Sequence, residues 1–97
     1  MQRVYLLLMM LFVMVGMANA QRVLTGTVTD PGRSPLPGVT VVVKGTTIGT
    51  VTNFEGKFNL TVPDNSRVLV FTFIGMKSQE VAITGAEYNI SLEPDII

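Results

Sequence analysis

From Gln21 onward, short runs of β-branched and aromatic residues give way to Gly, Pro, Asn or Asp at roughly ten-residue spacing, and no stretch repeats at helical period. That rhythm leaves little choice of fold class. Val23–Thr29 alternates, with Leu24, Gly26 and Val28 on one face. Asp30 to Gly38 contains three prolines, which bar a central strand there. Val39–Lys44 predicts a second strand, and Thr46–Thr52 a third that is interrupted at Gly49. Asn53-Phe54-Glu55-Gly56 reads as a tight turn, with Gly56 at the position needing positive φ. Lys57–Val62 sends Phe58, Leu60 and Val62 inward and Lys57, Asn59 and Thr61 outward. Arg67–Ile74 is apolar on both faces, as suits a central strand. Met76–Ile83, with Val81 and Ile83 inward, and Glu87–Leu92, with Tyr88, Ile90 and Leu92 inward, complete the set. About seven such strands predict an all-β sandwich of two antiparallel sheets, with a closed barrel as the alternative.

The first 20 residues follow another logic. Arg3 gives a positive n-region, Val4–Val15 is an uncharged apolar run, and Gly16-Met17-Ala18-Asn19-Ala20 puts small residues at −3 and −1 of a cleavage site. The run is shorter than the roughly 20 apolar residues that span a bilayer. The expected organisation is a cleavable helical signal peptide over 1–20, a β-sandwich domain over 21–92, and the start of a linker over 93–97. The chain has no cysteine, which excludes both a lipoprotein anchor and disulfides. Without Arg3, six basic side chains face seven acidic ones, a near-neutral balance that offers nucleic acid no electrostatic footprint. A domain of this size buries roughly 60% of its unfolded surface. Its stability is expected on the order of 4–12 kcal/mol, supplied by apolar packing and sheet hydrogen bonds alone.

The chemistry available is sparse. With neither His nor Cys, the chain lacks the parts for Ser-His-Asp or Cys-His catalysis and the usual ligands of zinc. Lys77 and Ser78 are adjacent, so on a strand they point to opposite faces. The Asn53–Gly56 turn has too few oxygen ligands for a calcium loop. Asn59-Leu60-Thr61 and Asn89-Ile90-Ser91 match the glycosylation acceptor pattern but fall inside predicted strands. No catalytic, cofactor-binding or metal-binding residue is therefore expected. Phe71 and Phe73, on one face of the uncharged segment Val68–Ile74, are expected in the core, with a surface that docks another domain as the functional alternative.

Four stretches in series carry a family resemblance. They are Thr25-Gly26-Thr27-Val28-Thr29-Asp30, Pro35-Leu36-Pro37-Gly38-Val39-Thr40-Val41, Lys44-Gly45-Thr46-Thr47-Ile48-Gly49-Thr50-Val51-Thr52, and Phe71-Thr72-Phe73-Ile74-Gly75-Met76-Lys77. In this order they resemble the carboxypeptidase-regulatory-like (transthyretin-like) domain, in the form found at the N-terminus of SusC/RagA-type TonB-linked outer-membrane transporters of Bacteroidetes. The resemblance covers Val23–Leu92 and departs at the turn, usually acidic where Asn53 and Glu55 stand. It implies a prealbumin-like or Ig-like sandwich at the periplasmic face of the outer membrane. It also implies a non-enzymatic accessory role beside the protein parts of a transporter complex, namely plug, barrel and TonB system, with no cofactor, no nucleic acid and no small-molecule substrate of its own. A family member continues past the position of Ile97 into a TonB box, plug and barrel, so the expectation is a truncated or fragmentary chain. The alternative is a stand-alone exported sandwich that binds a protein or glycan.

Ala18 and Ala20 flank the best peptidase site, so the exported protein should begin at Gln21. Intact mass or N-terminal sequencing of periplasmic material checks this, and a mature species retaining Met1–Ala20 would contradict it.

Overall fold

The structure is a computed structural model that describes residues 3–5, which are helical, and residues 21–95. The expected signal peptide thus lies outside the described residues except for positions 3–5, as do the last two residues of the expected linker. Seven strands follow in order: β1 (Gln21–Thr29), β2 (Thr40–Val43), β3 (Gly49–Val51), β4 (Lys57–Pro63), β5 (Val68–Thr72), β6 (Gln79–Ala82) and β7 (Glu87–Ser91). They form a three-stranded sheet ordered β4-β1-β7 and a four-stranded sheet ordered β3-β2-β5-β6. The all-β sandwich expected from the turn rhythm is the observed architecture.

Four of the five strand pairings are antiparallel, but β1 and β7 run parallel, from Thr25 opposite Glu87 to Thr29 opposite Ser91. This refines the purely antiparallel expectation. The chain crosses from β6 in one sheet to β7 in the other, and β7 enters beside β1 in the same direction; local alternation is blind to such a pairing. The third strand is also shorter than expected. Thr46 donates through its hydroxyl to the Val43 carbonyl (2.9 Å) and accepts from the Ile48 amide (3.0 Å), so the residues before Gly49 close a turn.

The core lies between the sheets, built from the alternating positions. Leu24, Val28, Phe58, Leu60, Val62, Tyr88, Ile90 and Leu92 come from the three-stranded sheet and its continuation. Val39, Val41, Val43, Leu69 and Phe71 come from the opposite side. Phe58 and Phe71 meet across the interior edge to face, centroids 5.7 Å apart and planes at 67°, a geometry favoured by the ring quadrupoles. Phe58 sits directly opposite Gly26 in the β1–β4 register. A Cβ on Gly26 would lie 2.6 Å from Phe58 Cε1 and 2.5 Å from the Tyr88 carbonyl oxygen. The bare glycine is the seat of the ring.

Phe58→Ala should therefore cost about 3–5 kcal/mol, a large share of the roughly 4–12 kcal/mol expected for a domain of this size. Thr61→Ala, exposed on the other face of β4, should cost well under about 1 kcal/mol. Urea melts of the two variants compare them directly, and equal losses would mean the faces of β4 are misassigned.

Candidate contact surface

Several of the groups able to do chemistry are occupied with local structure. Asp30 accepts the Ser34 amide through Oδ1 (2.9 Å) and so closes its own loop. Glu80 pairs with Lys44 (2.6 Å) and Glu55 with Lys57 (3.4 Å), all four side chains well exposed. Surface pairs of this kind contribute little to stability. Asn53 Oδ1 accepts the amides of Glu55 and Lys57, at 2.9 and 3.0 Å, which is hairpin chemistry rather than ion coordination. Lys77 and Ser78 both stand exposed on the approach to β6. Among the described residues, no group of three His, Cys, Asp or Glu side chains is close enough to hold a metal ion.

What differs across the molecule is the character of its surfaces. On the three-stranded sheet the outward residues include Thr25, Thr27, Lys57, Asn59, Glu87 and Asn89, so that face is mostly polar, with Val23 as its exposed apolar member. The acceptor-pattern residues Asn59 and Asn89 are both exposed there. The four-stranded sheet instead turns Val42 and Val70 outward as a directly opposed, half-buried pair. Val51, 57% exposed, extends this apolar character along β3.

The most exposed large apolar side chains of the sandwich sit on turns. Phe54 is 94% exposed on the β3–β4 turn and Ile74 is 95% exposed on the β5–β6 turn. Full burial of side chains this large is worth about 1.5–3 kcal/mol each, which the isolated fold leaves unrealised. Both turns are tightly tied. Gly56 donates to the Asn53 carbonyl (2.9 Å) with φ of 73°, and Met76 donates to the Phe73 carbonyl (3.1 Å) beside Gly75, whose φ is 80°.

The pair Phe71 and Phe73, expected in the core with docking as the alternative, is found in the core. Phe71 is fully buried, and Phe73 is half-buried against the core. The core assignment is thus the correct one for this pair, and the docking alternative moves to Phe54 and Ile74. A signal for them was present: each is a large apolar residue within two positions of a positive-φ glycine, where strand alternation has stopped.

Behind the turns, one buried polar side chain fixes this end of the sandwich. Thr52 Oγ1 donates to the Leu36 carbonyl (2.6 Å) and accepts the Val39 amide (2.9 Å). The proline-rich connection is thereby fastened to the strand end that leads to Phe54.

With this geometry in hand, the class is clear. The chain belongs to the CarboxypepD_reg-like domain family, whose model matches residues 24–96. It is 44% identical over 79 residues to the TonB-dependent receptor P39 of Formosa agariphila, across 79% of this chain and 8% of the receptor. It is 44% identical over 69 residues to the receptor P3 of the same organism, across 70% of this chain and 7% of that receptor. With the TonB-dependent receptor SusC of Bacteroides thetaiotaomicron it shares 40% identity over 79 residues, across 80% of this chain and 8% of SusC. The chain thus spans less than a tenth of the length of these relatives.

Thr52→Val keeps the side-chain volume but strands the Val39 amide and the Leu36 carbonyl, at a cost of about 1–3 kcal/mol. Thr52→Ser keeps the hydroxyl and should cost about 0.8 kcal/mol for the lost methyl. Chemical denaturation ranks the two, and a Val variant as stable as wild type would show these bonds to be dispensable.

Proposed function

We propose that the chain is the non-enzymatic accessory N-terminal domain of a TonB-dependent outer-membrane transporter. In this reading it is exported by a signal peptide over 1–20, folds over 21–92 and leads out through 93–97. It stands at the periplasmic face and acts by contact with the protein parts of the transporter, without a catalytic site, cofactor or nutrient site of its own. One observation supports this most. Identity of 40–44% extends over most of the chain, while the same match takes up only 7–8% of each of these receptors. A small module retained beside a much larger body is suited to adjusting that body. The surfaces agree with such a role, since the two most exposed apolar side chains of the sandwich stand singly on hydrogen-bonded turns.

The test is deletion of the matching domain from the SusC relative. Nutrient affinity at the barrel should stay unchanged while the rate of uptake changes. The domain on its own should neither hydrolyse model substrates nor shift its melting temperature with added divalent metal. Nutrient binding by the isolated domain, within a few-fold of the affinity of the whole receptor, would overturn the accessory reading in favour of a binding module.

A further inference from the structure

The two exposed turns lie at one end of the sandwich. Thr40 pairs with Val51 on one side and with Thr72 on the other. Val51 and Thr72 are thus two strand spacings apart, about 10 Å. Phe54 follows three residues after Val51, and Ile74 two residues after Thr72, so both turns leave neighbouring positions of the same sheet end. Isolated apolar side chains on a surface are ordinary, but here two that are at least 94% exposed share one pole with the half-exposed Val51.

The segment after β7 is fastened to the same place. The Lys77 amide donates to the Glu93 carbonyl (2.8 Å), Met76 and Pro94 form a β-bridge, and the Asp95 amide donates to the Gly75 carbonyl (2.9 Å). Gly75 is the residue next to Ile74. Met76, beside it, packs on the core. Whatever polypeptide follows Asp95 therefore starts from the turn that displays Ile74.

We infer that this pole is a docking face for the receptor body that follows the domain in the same polypeptide, with Phe54 and Ile74 as its two apolar anchors. The inference rests on the accessory-domain reading, because the relatives extend far beyond the matched region. The partner surface it requires is a pair of shallow apolar depressions, one for each anchor. Two side chains would hold separate molecules together only weakly. A short tether changes this, since it supplies an effective concentration on the order of millimolar, and the hydrogen-bonded segment Glu93–Asp95 starts that tether at the pole itself. Rigid turns add to the effect, because little ordering remains to be done on docking.

Cysteine accessibility tests the inference, since the chain has no cysteine and each introduced thiol is unique within the domain. Glu55→Cys places a probe beside Phe54 without removing an anchor, and Asn59→Cys serves as a control on the polar face. Both positions are exposed, so neither substitution threatens folding. Each is labelled with a maleimide in the 97-residue chain and in the SusC relative whose matching segment is replaced by residues 24–95, with the site peptide read by mass spectrometry. In the receptor, labelling at Glu55→Cys should slow about tenfold relative to the 97-residue chain, with Asn59→Cys unchanged. Adding Phe54→Ala and Ile74→Ala should restore the fast rate. Equal labelling of Glu55→Cys in both settings would overturn the docking, and protection that survives the double alanine variant would overturn the choice of anchors. The functional reading is judged separately by the uptake of the deletion variant. Unchanged uptake with clear protection would sink that reading and leave the docking in place, whereas altered uptake without protection would sink the docking alone.

Discussion

The ring of Phe58 lies over Gly26 on its own sheet and meets the edge or face of Phe71 from the other. A small sandwich without disulfides depends on such a contact. Each sheet alone buries one face of short strands, and no disulfide ties the two sheets together, so the interior side chains must hold them in contact. Phe58 can reach Phe71 at a comfortable 5.7 Å only because position 26 has no side chain to lift the ring. Leu24 and Val28 flank that glycine on β1, and both are fully buried. The stripe on β1 thus reads large, absent, large, and the missing member is filled from the neighbouring strand.

From this arrangement follows the division of labour between strands and turns. Because the interior consumes the alternating positions of every long strand, the side chains free to vary are those on the outward faces and at strand ends. The three-stranded sheet carries mainly Thr, Asn, Lys and Glu on its outward face, with Val23 among them. The four-stranded sheet keeps Val42 opposite Val70, a cross-strand β-branched pair that supports the central β2–β5 pairing. Thr52 closes one end of the sandwich by satisfying a buried amide and a partly buried carbonyl with a single hydroxyl. That closure lets a proline-rich connection, poor in its own hydrogen-bond donors, lie against the sandwich with its backbone satisfied.

Most of the sandwich was legible in the sequence because its signal is local. Phe58, Leu60 and Val62 alternate cleanly with Lys57, Asn59 and Thr61, and burial follows that alternation residue by residue. Gly56 and the Asn53 turn were equally readable, since positive φ and Asx hydrogen bonding are properties of four neighbouring residues. The parallel β1–β7 pairing was not readable. It joins residues about sixty positions apart, and either direction of β7 would bury Tyr88 and Ile90 equally well. The exposed apolar pair, Phe54 and Ile74, was not singled out for a related reason. Two phenylalanines on one strand draw attention, yet composition cannot say which side of a doubly apolar strand meets the opposite sheet. Phe71 went inward, and Phe54 and Ile74, outside any strand, kept their exposure.

An exposed phenylalanine on a loose loop would collapse onto the nearest apolar surface and lose its use as an anchor. Phe54 is prevented from doing so. Its turn is held by the Asn53 side chain, which binds two amides, and by Gly56, whose missing Cβ lets the backbone lie against the Val28 carbonyl and Pro35, where a methyl would come within 2.6 Å of the carbonyl oxygen. The same glycine that forms the hairpin thus presses the turn onto the body of the domain and points its apolar residue away from it. Ile74 is held in a comparable way, between Phe73 and Met76, which pack inward, and the bridge from Met76 to Pro94. Exposure at these positions is a product of the core's own geometry. Such fixed apolar points suit contact with a partner, because their orientation is set before contact and is not spent in making it.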